Sequence, residues 1–191
     1  MTRTRLAALL LILAVATSVA AEQPDTWQID ASHSSAQFAV RHLAISTVRG
    51  RFDKMSGTVS YDPADPAKIS VAATIDASTI NTHIQSRDND LRGRKYFDVE
   101  QFPTLTFEST RAEPAGPGKL KVTGNLTMHG VTREVLLEVA DITGPQKDAS
   151  GRERMGAVAT TKLNRRDFGV NGGGGIVGDQ VAITIDLELV R

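Results

Sequence analysis

The sequence of 191 residues contains no cysteine. Disulfide bonds and cysteine-based metal sites are therefore excluded, and the folded state must be stabilised by a hydrophobic core. Aromatic residues make up only 5% of the chain, so a cluster of them is informative. Neither sign of charge prevails, with 22 Lys and Arg against 22 Asp and Glu. This balance, without a basic block, gives no electrostatic footprint for nucleic acid.

Long hydrophobic runs are also lacking, except near the N-terminus. Arg3 and Arg5 precede an apolar run over residues 6–15, and Val19 and Ala21 form a small-residue cleavage pattern. This arrangement is typical of a secretory signal peptide, and the run is too short for a good membrane span. We expect residues 1–21 to be removed, which leaves a periplasmic protein without an integral membrane anchor. An uncleaved N-terminal anchor is the alternative.

The remaining residues, 22–191, are enough for one domain with a sizeable core. Most of them lie in short segments in which apolar and polar residues alternate, as in 35–43 and 181–189. Half-buried strands of this kind are typical of antiparallel sheets. Eight or more of them, separated by regular turns, predict a sandwich or a barrel. A barrel is favoured because closure leaves no open edge, and about eight strands leave room for one small ligand.

The alternation stops between Ile80 and Ser109. Asn81 or Thr82 can cap the start of a helix, and Gly93 stands where a C-cap glycine belongs. A short helix is therefore expected near residues 82–92. Ile84 and Leu91 are seven residues apart, which puts both on one face that can be buried.

Three aromatic residues follow this predicted helix within seven positions: Tyr96, Phe97 and Phe102. Pro103 then forces an extended restart of the chain. We expect the helix and these aromatic side chains to cover one end of the barrel.

The polar residues suggest no catalytic arrangement. The histidines at 33, 42, 83 and 129 lack the spacing of a metal site, and both a Gly-x-Ser-x-Gly motif and a carboxylate pair are missing. His42 shares a strand face with Phe38 and Val40, so it is either a hydrogen-bonded core histidine or a polar contact inside a pocket. Arg87 and Asp88 form either a contact for a ligand head group or a local salt bridge of the helix.

Two further polar segments have alternative interpretations. The segment 164–168 is a polar rim with Phe168 as its anchor, or a salt-bridge cluster at a strand end. The glycine-rich run 171–175 lacks the Lys-Ser/Thr and the strand–helix context of a phosphate loop, so it is a connection.

Taken together, the motifs resemble the YceI-like family of exported, polyisoprenoid-binding proteins. The resemblance rests on Trp27-x-Ile29-Asp30-x-x-His33-Ser34, Phe38-x-Val40-x-His42, Val48-x-Gly50-x-Phe52, Ile80-Asn81-Thr82, Arg87-Asp88-x-x-Leu91, Tyr96-Phe97-Asp98-x-x-x-Phe102-Pro103-x-Leu105-x-Phe107-x-Ser109, Gly124-x-Leu126-Thr127-Met128-x-Gly130-Val131-Thr132 and Arg166-x-Phe168-Gly169. These motifs occur in order over nearly all of residues 22–191. The chain departs from the family pattern at Asp90, where a histidine is usual, and at Tyr96, where a phenylalanine is usual.

The resemblance implies an all-β, lipocalin-like antiparallel barrel with an elongated apolar lumen. It further implies a bound isoprenoid or similar long-chain amphiphile, without a metal, another cofactor or an enzymatic activity. Strand parity predicts that Phe38, Val40, Phe52, Val71, Ile75, Phe107 and Ile183 line the lumen. Ile84, Leu91, Phe97 and Phe102 are expected at its covered end, and His42, Arg87, Asp88 and Phe168 are the remaining candidate contacts.

The predicted function is that of a carrier for a long-chain apolar molecule. Two alternatives stay open. One is a lipid hydrolase or isomerase that pairs His42 with Asp88 or Asp167, and the other is a ligand-free structural barrel with a packed interior. A homodimer is compatible with each of them.

Overall fold

The computed structural model describes residues 26–191, and the predicted signal peptide, residues 1–21, lies outside them. Within this range the chain forms strands and one α-helix, α1 (Gln85–Arg92). The strands are β1 (Thr26–Ile29), β2 (Ser35–His42), β3 (Ser46–Phe52), β4 (Met55–Ser60), β5 (Ser70–Asp76), β6 (Ile80–Asn81), β7 (Thr104–Pro114), β8 (Leu120–Met128), β9 (Val131–Lys147), β10 (Glu153–Asn164) and β11 (Val177–Val190). Short 3₁₀ turns lie at Pro66–Lys68, Ala77–Thr79 and Arg165–Phe168. None of the helices in the described part of the chain is long and apolar enough to cross a membrane.

Eight strands form a closed antiparallel ring in the order β1-β4-β5-β7-β8-β9-β10-β11. The ring is closed by a short pairing of β1 with β11, in which Gln28 lies opposite Val190 and Ile29 opposite Leu189. We call this pairing the seam, and the end of the barrel that contains it the seam end. The predicted antiparallel barrel is therefore confirmed.

The edge of β11 that closes the seam also carries a second group of strands. Its N-terminal part pairs with β2, and the sheet continues through β3 to β6. Short non-strand segments, residues 30–34, 53–54 and 77–79, separate β1 from β2, β3 from β4 and β5 from β6. The wall therefore changes strands part-way along the barrel, and β2, β3 and β6 form it at the end away from the seam.

Residues 82–103, which we call the lid segment, lie at this second end, the lid end. Leu91, Tyr96 and Phe97 pack against a buried cluster that includes Phe52 and Ile80. The predicted cover of helix and aromatic side chains is therefore present. Arg92 fixes the end of α1, because its Nε donates to the carbonyl oxygen of Ser78 at 2.7 Å and its Nη2 to that of Ile80 at 2.9 Å.

The helix itself differs from the prediction in its start. It begins at Gln85 rather than near Thr82, and its N-cap Ile84 makes no side-chain cap bond. Thr82 is buried and bonded to Asp88, and His83 has a positive φ of 63°, so the helix cannot extend back to Thr82. As a result the Ile84 side chain is 49% exposed, and the expectation that it is buried with Leu91 is wrong. Gly93 does occupy the C-cap position.

Residues 144–151 have the polar, glycine- and proline-containing composition of a loop, but the first half of them is strand. Strand β9 continues to Lys147, which lies opposite Glu153 in β10. Backbone pairing with a long neighbouring strand here outweighs the weak strand propensity of Gly144, Pro145 and Gln146.

Most of the inward-facing side chains are apolar, and some aromatic rings are accommodated by glycines on the neighbouring strand. Phe107 in β7 lies over Gly124 in β8, where a Cβ atom would collide with the ring and lie 2.5 Å from the carbonyl oxygen of Glu108. The ring of Phe38 covers Gly50 in the same way. These rings fill the space that a side chain would otherwise occupy, so the barrel wall is continuous at both glycines.

A network of charged side chains surrounds Arg154 at the seam end. Its Nη1 donates to Asp30 Oδ2 at 2.7 Å and to Glu188 at 2.5 Å, and its Nε donates to Asp148 Oδ2 at 2.8 Å. Because Asp30 follows β1 and Glu188 lies in β11, this single guanidinium bridges the two strands of the seam. The bond from Arg154, followed by that from His33, holds the pKa of Asp30 well below its usual range.

We expect Gly124→Ala to destabilise the protein by about 1–3 kcal/mol, because the new methyl group must displace the Phe107 ring or the Glu108 backbone. Gly156→Ala is the matched control. Gly156 also lies in a strand, but a Cβ there would come no closer than 3.2 Å to a neighbouring atom, the Thr143 hydroxyl oxygen. The measurement is the free energy of unfolding in denaturant, and equal effects of the two changes would contradict the steric argument.

We expect stability to fall as the pH drops below about 4, near the usual pKa of an aspartate in an unfolded chain. A carboxyl group whose folded-state pKa is lowered stabilises the protein above the unfolded pKa, and this contribution is lost as the pH falls towards the folded value. Thermal unfolding midpoints between about pH 7 and pH 3 should therefore fall steeply for the wild type and less steeply for Arg154→Met.

Lys68→Met is the control for this experiment, because Lys68 forms an exposed ion pair with Asp65. Its pH profile should match that of the wild type. If Arg154→Met also has the pH profile of the wild type, the seam network does not stabilise the barrel.

Candidate binding cavity

A cavity of about 190 Å³ lies inside the barrel. Nine of the predicted contact residues line it: Phe38, Val40, Phe52, Val71, Ile75, Leu91, Phe97, Phe107 and Ile183. The wall extends from Ile29 and Val59 at the seam end to Leu91 and Phe97 in the lid segment. Its few polar residues include Gln37, Thr106 and Thr161, so the cavity offers mainly hydrocarbon contacts.

Aromatic contacts connect the wall of the cavity with the lid segment. The ring centroids of Phe38 and Phe52 are 6.0 Å apart, and those of Phe52 and Phe97 are 5.6 Å apart in an edge-to-face arrangement. Phe97 is also held by its backbone, since its N–H donates to the carbonyl oxygen of Leu91 at 3.0 Å. The lid segment thus supplies part of the cavity wall.

The other six predicted contact residues do not line the cavity: His42, Ile84, Arg87, Asp88, Phe102 and Phe168. Phe102 packs on His129 with ring centroids 4.8 Å apart, at the turn between β8 and β9. Phe168 is fully buried in the core cluster of the lid end. Both aromatic residues therefore stabilise the lid end without reaching the lumen.

Arg87 and Asp88 meet at Thr82. Asp88 is buried, and its Oδ1 accepts bonds from the backbone N–H of Thr82 at 2.8 Å and from its hydroxyl at 2.5 Å. The Nε of Arg87 donates to the Thr82 hydroxyl oxygen at 2.7 Å, and its Nη2 to the Thr82 carbonyl oxygen at 2.9 Å. In this arrangement the two side chains fix the entry into α1, and neither points a free polar group into the cavity.

His42 lies at the last position of β2, between Ser46 in β3 and Val177 in β11. It is half-buried. Among residues 26–191, no hydrogen bond or ion pair joins it to Asp88 or Asp167. The geometry that a histidine general base requires, an orienting acid within hydrogen-bond reach, is not formed by these residues.

Sequence reasoning placed Arg165 in a polar rim or a salt-bridge cluster, but it is 5% exposed and lines the cavity at the lid end. Its Nη1 donates at 2.7 Å to the carbonyl oxygens of Val170 and Gly172, and its Nε and Nη2 donate to those of Gly178 and Val177. Burial lowers the pKa of Arg165 from its ordinary value, but a guanidinium stays protonated in proteins. A fixed positive charge therefore lies beside the lid end of the cavity.

The other lining residues that were missed are spread over most strands of the barrel, among them Leu126, Met128, Val135 and Leu163 on β8 to β10. The signal for several of them was present, because they belong to alternating apolar faces. Arg165 had no such signal, since its burial depends on carbonyl oxygens that only the folded turn brings together.

One group of possible metal ligands occurs among the described residues, formed by Asp30, His33 and Glu188. Arg154 already donates to both of these carboxylates. Its guanidinium supplies the positive charge at this position, so the group is accounted for as part of the seam network.

The comparisons with known proteins agree with this architecture. A UPF0312 protein of Vibrio cholerae is 37% identical over 139 residues, which cover 73% of each chain. The crystal structure of Burkholderia cenocepacia BcnA has a TM-score of 0.74 and 27% identity, and covers 84% of this chain and 98% of its own. A polyisoprenoid binding domain from Saccharophagus degradans, implicated in plant cell wall breakdown, has a TM-score of 0.63 and 17% identity, over 85% of this chain and 97% of its own.

The model of the YceI-like domain matches residues 27–189, which include the lid segment, the whole wall of the cavity and all of the seam except Val190. The chain therefore belongs to the YceI-like family.

Proposed function

We propose that the protein is a non-catalytic periplasmic carrier that holds one long-chain amphiphile, of the isoprenoid type, in its barrel. The observation that carries this proposal is the apolar cavity. Along most of its length the wall offers no hydrogen-bond partner, so a polar ligand would lose its hydration without compensation, whereas a hydrocarbon chain would not. The resemblance of the motifs to polyisoprenoid-binding proteins supports the same ligand class.

The volume of the cavity bears on how such a ligand fits. A space of about 190 Å³ is room for on the order of a dozen water molecules, and it is below the 300–1000 Å³ typical of small-molecule pockets. The interior is thus neither solidly packed nor a wide tunnel. The wall includes Met55 and Met128, whose unbranched side chains repack easily. We infer that the cavity widens by such side-chain rotations when a long chain enters.

The magnitudes favour the tail of the ligand over its head group. Each buried CH₂ contributes about 0.8 kcal/mol, so about ten buried carbons exceed the lower estimates of the cost of association. A hydrogen bond to the head group adds only about 1–3 kcal/mol. At the lid end, the guanidinium of Arg165 bonds to one carboxylate among the described residues, that of Asp179, at 3.4 Å. Its positive charge therefore favours a polar or anionic head group at this end. The tail would then extend towards the seam.

The periplasmic part of the proposal rests on the signal-peptide pattern of residues 1–21. Expression of the full chain, followed by cell fractionation and mass spectrometry of the N-terminus, tests it. A product that keeps residues 1–21 in the membrane fraction would contradict export with cleavage.

Extraction of the purified protein with organic solvent should release a long-chain amphiphile at about one molecule per chain, and Val71→Trp should reduce this amount. The larger side chain occupies the cavity, and losing contacts for two methylenes alone costs about 1.6 kcal/mol, or roughly tenfold in affinity. Ala72→Trp is the matched control, since the neighbouring side chain on β5 is exposed. The amount of lipid is measured by mass spectrometry.

Two outcomes would contradict the carrier. One is a wild-type protein from which no amphiphile is extracted, which would indicate a ligand-free barrel. The other is a fully folded Val71→Trp protein with an unchanged amount of lipid, which would place the ligand outside the cavity.

We expect His42→Gln to retain the same lipid as the wild type, with only modest weakening, because His42 does not line the cavity. The measurement is again the extracted lipid, together with hydrolysis of a long-chain ester. A protein emptied by this change would show that recognition depends on His42. If the wild type hydrolyses the ester and His42→Gln abolishes this activity, the hydrolase is favoured instead.

A further inference from the structure

Three large apolar side chains are exposed together at the lid end. Leu43 and Ile45 lie in the turn between β2 and β3, and Ile176 lies just before β11; they are 53%, 79% and 48% exposed. The backbone N–H of Leu43 donates to the carbonyl oxygen of Ile176 at 2.7 Å, so the two segments are in direct contact. We call these three residues the apolar tip. Single exposed apolar residues are common in soluble proteins, whereas a contiguous group often marks an interaction surface.

The turn that carries the tip is held in a specific conformation. Leu43 and Ala44 have positive φ values of 52° and 57°, a region that favours glycine or asparagine. Arg41 holds this turn, because its Nη2 donates to the carbonyl oxygens of Ala44 at 2.6 Å and Ile45 at 3.0 Å. The leucine and isoleucine side chains are thus fixed in an outward position, rather than exposed by a loose loop.

Basic residues lie on the segments that carry or adjoin the tip. From Ser35 to Phe52 the chain contains Arg41, Arg49 and Arg51 and no acidic residue. Exposed Arg94 and Lys95 lie in the lid segment, next to Tyr96, whose ring lies against Gly172 and Gly173 of the loop that leads to Ile176. Within the described range, Arg49, Arg94 and Lys95 form no ion pair with another residue. Their charges are therefore available to an anionic surface.

The tip is also continuous with the cavity. Ile176 directly precedes Val177, and Lys95 directly precedes Tyr96; both Val177 and Tyr96 line the cavity. A surface that touched the tip and these basic residues would thus lie at the lid end of the proposed lipid site.

We propose that the lid end docks on an anionic lipid bilayer. The apolar tip enters the interfacial region, and Arg49, Arg94 and Lys95 contact lipid phosphates. Binding of this kind scales with the buried apolar area and with the attraction of basic residues, about 1 kcal/mol each, to anionic lipids. A stable protein–protein interface uses about 20–30 residues on each side, far more than the tip provides. The inference rests on the proposed function, because a carrier exchanges its long-chain amphiphile with a membrane.

The first experiment measures binding to vesicles. The full chain is expressed, the exported product is purified, and it is floated with vesicles of phosphatidylcholine, with or without about one third phosphatidylglycerol. We expect binding to the anionic vesicles, weaker binding at high salt because the charges are exposed, and little binding to phosphatidylcholine alone. Absence of binding to the anionic vesicles overturns the proposal.

The second experiment compares matched variants. Ile45→Asp should reduce binding about tenfold or more, since it removes an apolar side chain from the interface. Leu136→Asp is the control, because Leu136 is 43% exposed on β9, away from the tip.

Arg94→Gln with Lys95→Gln should reduce binding about fivefold for each residue, whereas Lys119→Gln with Lys121→Gln at the seam end should have little effect.

Equal losses in the tip variants and their controls would overturn the proposal. Unfolding midpoints establish that each variant is folded. Sedimentation velocity tests the other occupant of the tip, a second copy of this chain; a wild-type dimer that Ile45→Asp dissociates would also overturn bilayer docking.

Extracted lipid is measured on the same samples, which separates this inference from the proposed function. A protein that carries lipid but does not bind vesicles contradicts docking alone. A protein that binds vesicles through the tip but contains no amphiphile supports docking and contradicts the carrier.

Discussion

The structure depends on closure of the strand ring between β1 and β11. Among residues 26–191, two residue pairs, Gln28 with Val190 and Ile29 with Leu189, make this connection. Without it, both strands would present open edges, and the inward-facing apolar side chains would be exposed to water. Arg154 reinforces the closure, because its guanidinium bonds to one carboxylate beside each of the two strands. The interior cavity exists because this short seam holds.

Closure at one end has a consequence at the other. Since β11 uses its C-terminal residues for the seam, its N-terminal residues pair with β2, and the wall there continues through β3 to the two-residue strand β6. That part of the wall is too short to close the barrel by strands alone. The lid segment completes it with Leu91, Tyr96 and Phe97, which pack against the same cluster as Phe52. The region that covers the cavity is thus also the region where the barrel can open with the least loss of strand pairing.

Charged groups are divided between the two ends according to their roles. At the seam end, Arg154 is neutralised by carboxylates and serves closure. At the lid end, Arg165 is bonded mainly to backbone carbonyl oxygens, so it retains a positive charge beside an apolar cavity. In the proposed carrier, this asymmetry would give the amphiphile a preferred direction. It also means that the apolar tip and the basic residues around it lie at the end where the polar part of such a ligand would be.

The sequence by itself determined the antiparallel strands, favoured a barrel over a sandwich, and identified nine of the residues that line the cavity. A strand places alternate side chains on opposite faces, so residues such as Phe38, Val71 and Ile183 could be assigned to the interior from parity alone. The aromatic cluster likewise predicted a cover over one end. These features follow from local periodicity, which each segment expresses independently of its neighbours.

Only the tertiary structure decided which polar and lid residues reach the cavity. Hydrogen bonds to Thr82 hold Arg87 and Asp88 away from the lumen. The helix therefore begins only at Gln85, and Ile84 is left exposed. Arg165 is buried because a turn places four carbonyl oxygens around it, and no periodic pattern encodes such an arrangement. Hydrogen bonds of this kind join residues whose relative positions are fixed only after the chain has folded. The sequence therefore specifies which strand faces are apolar, and the fold specifies where the charges lie.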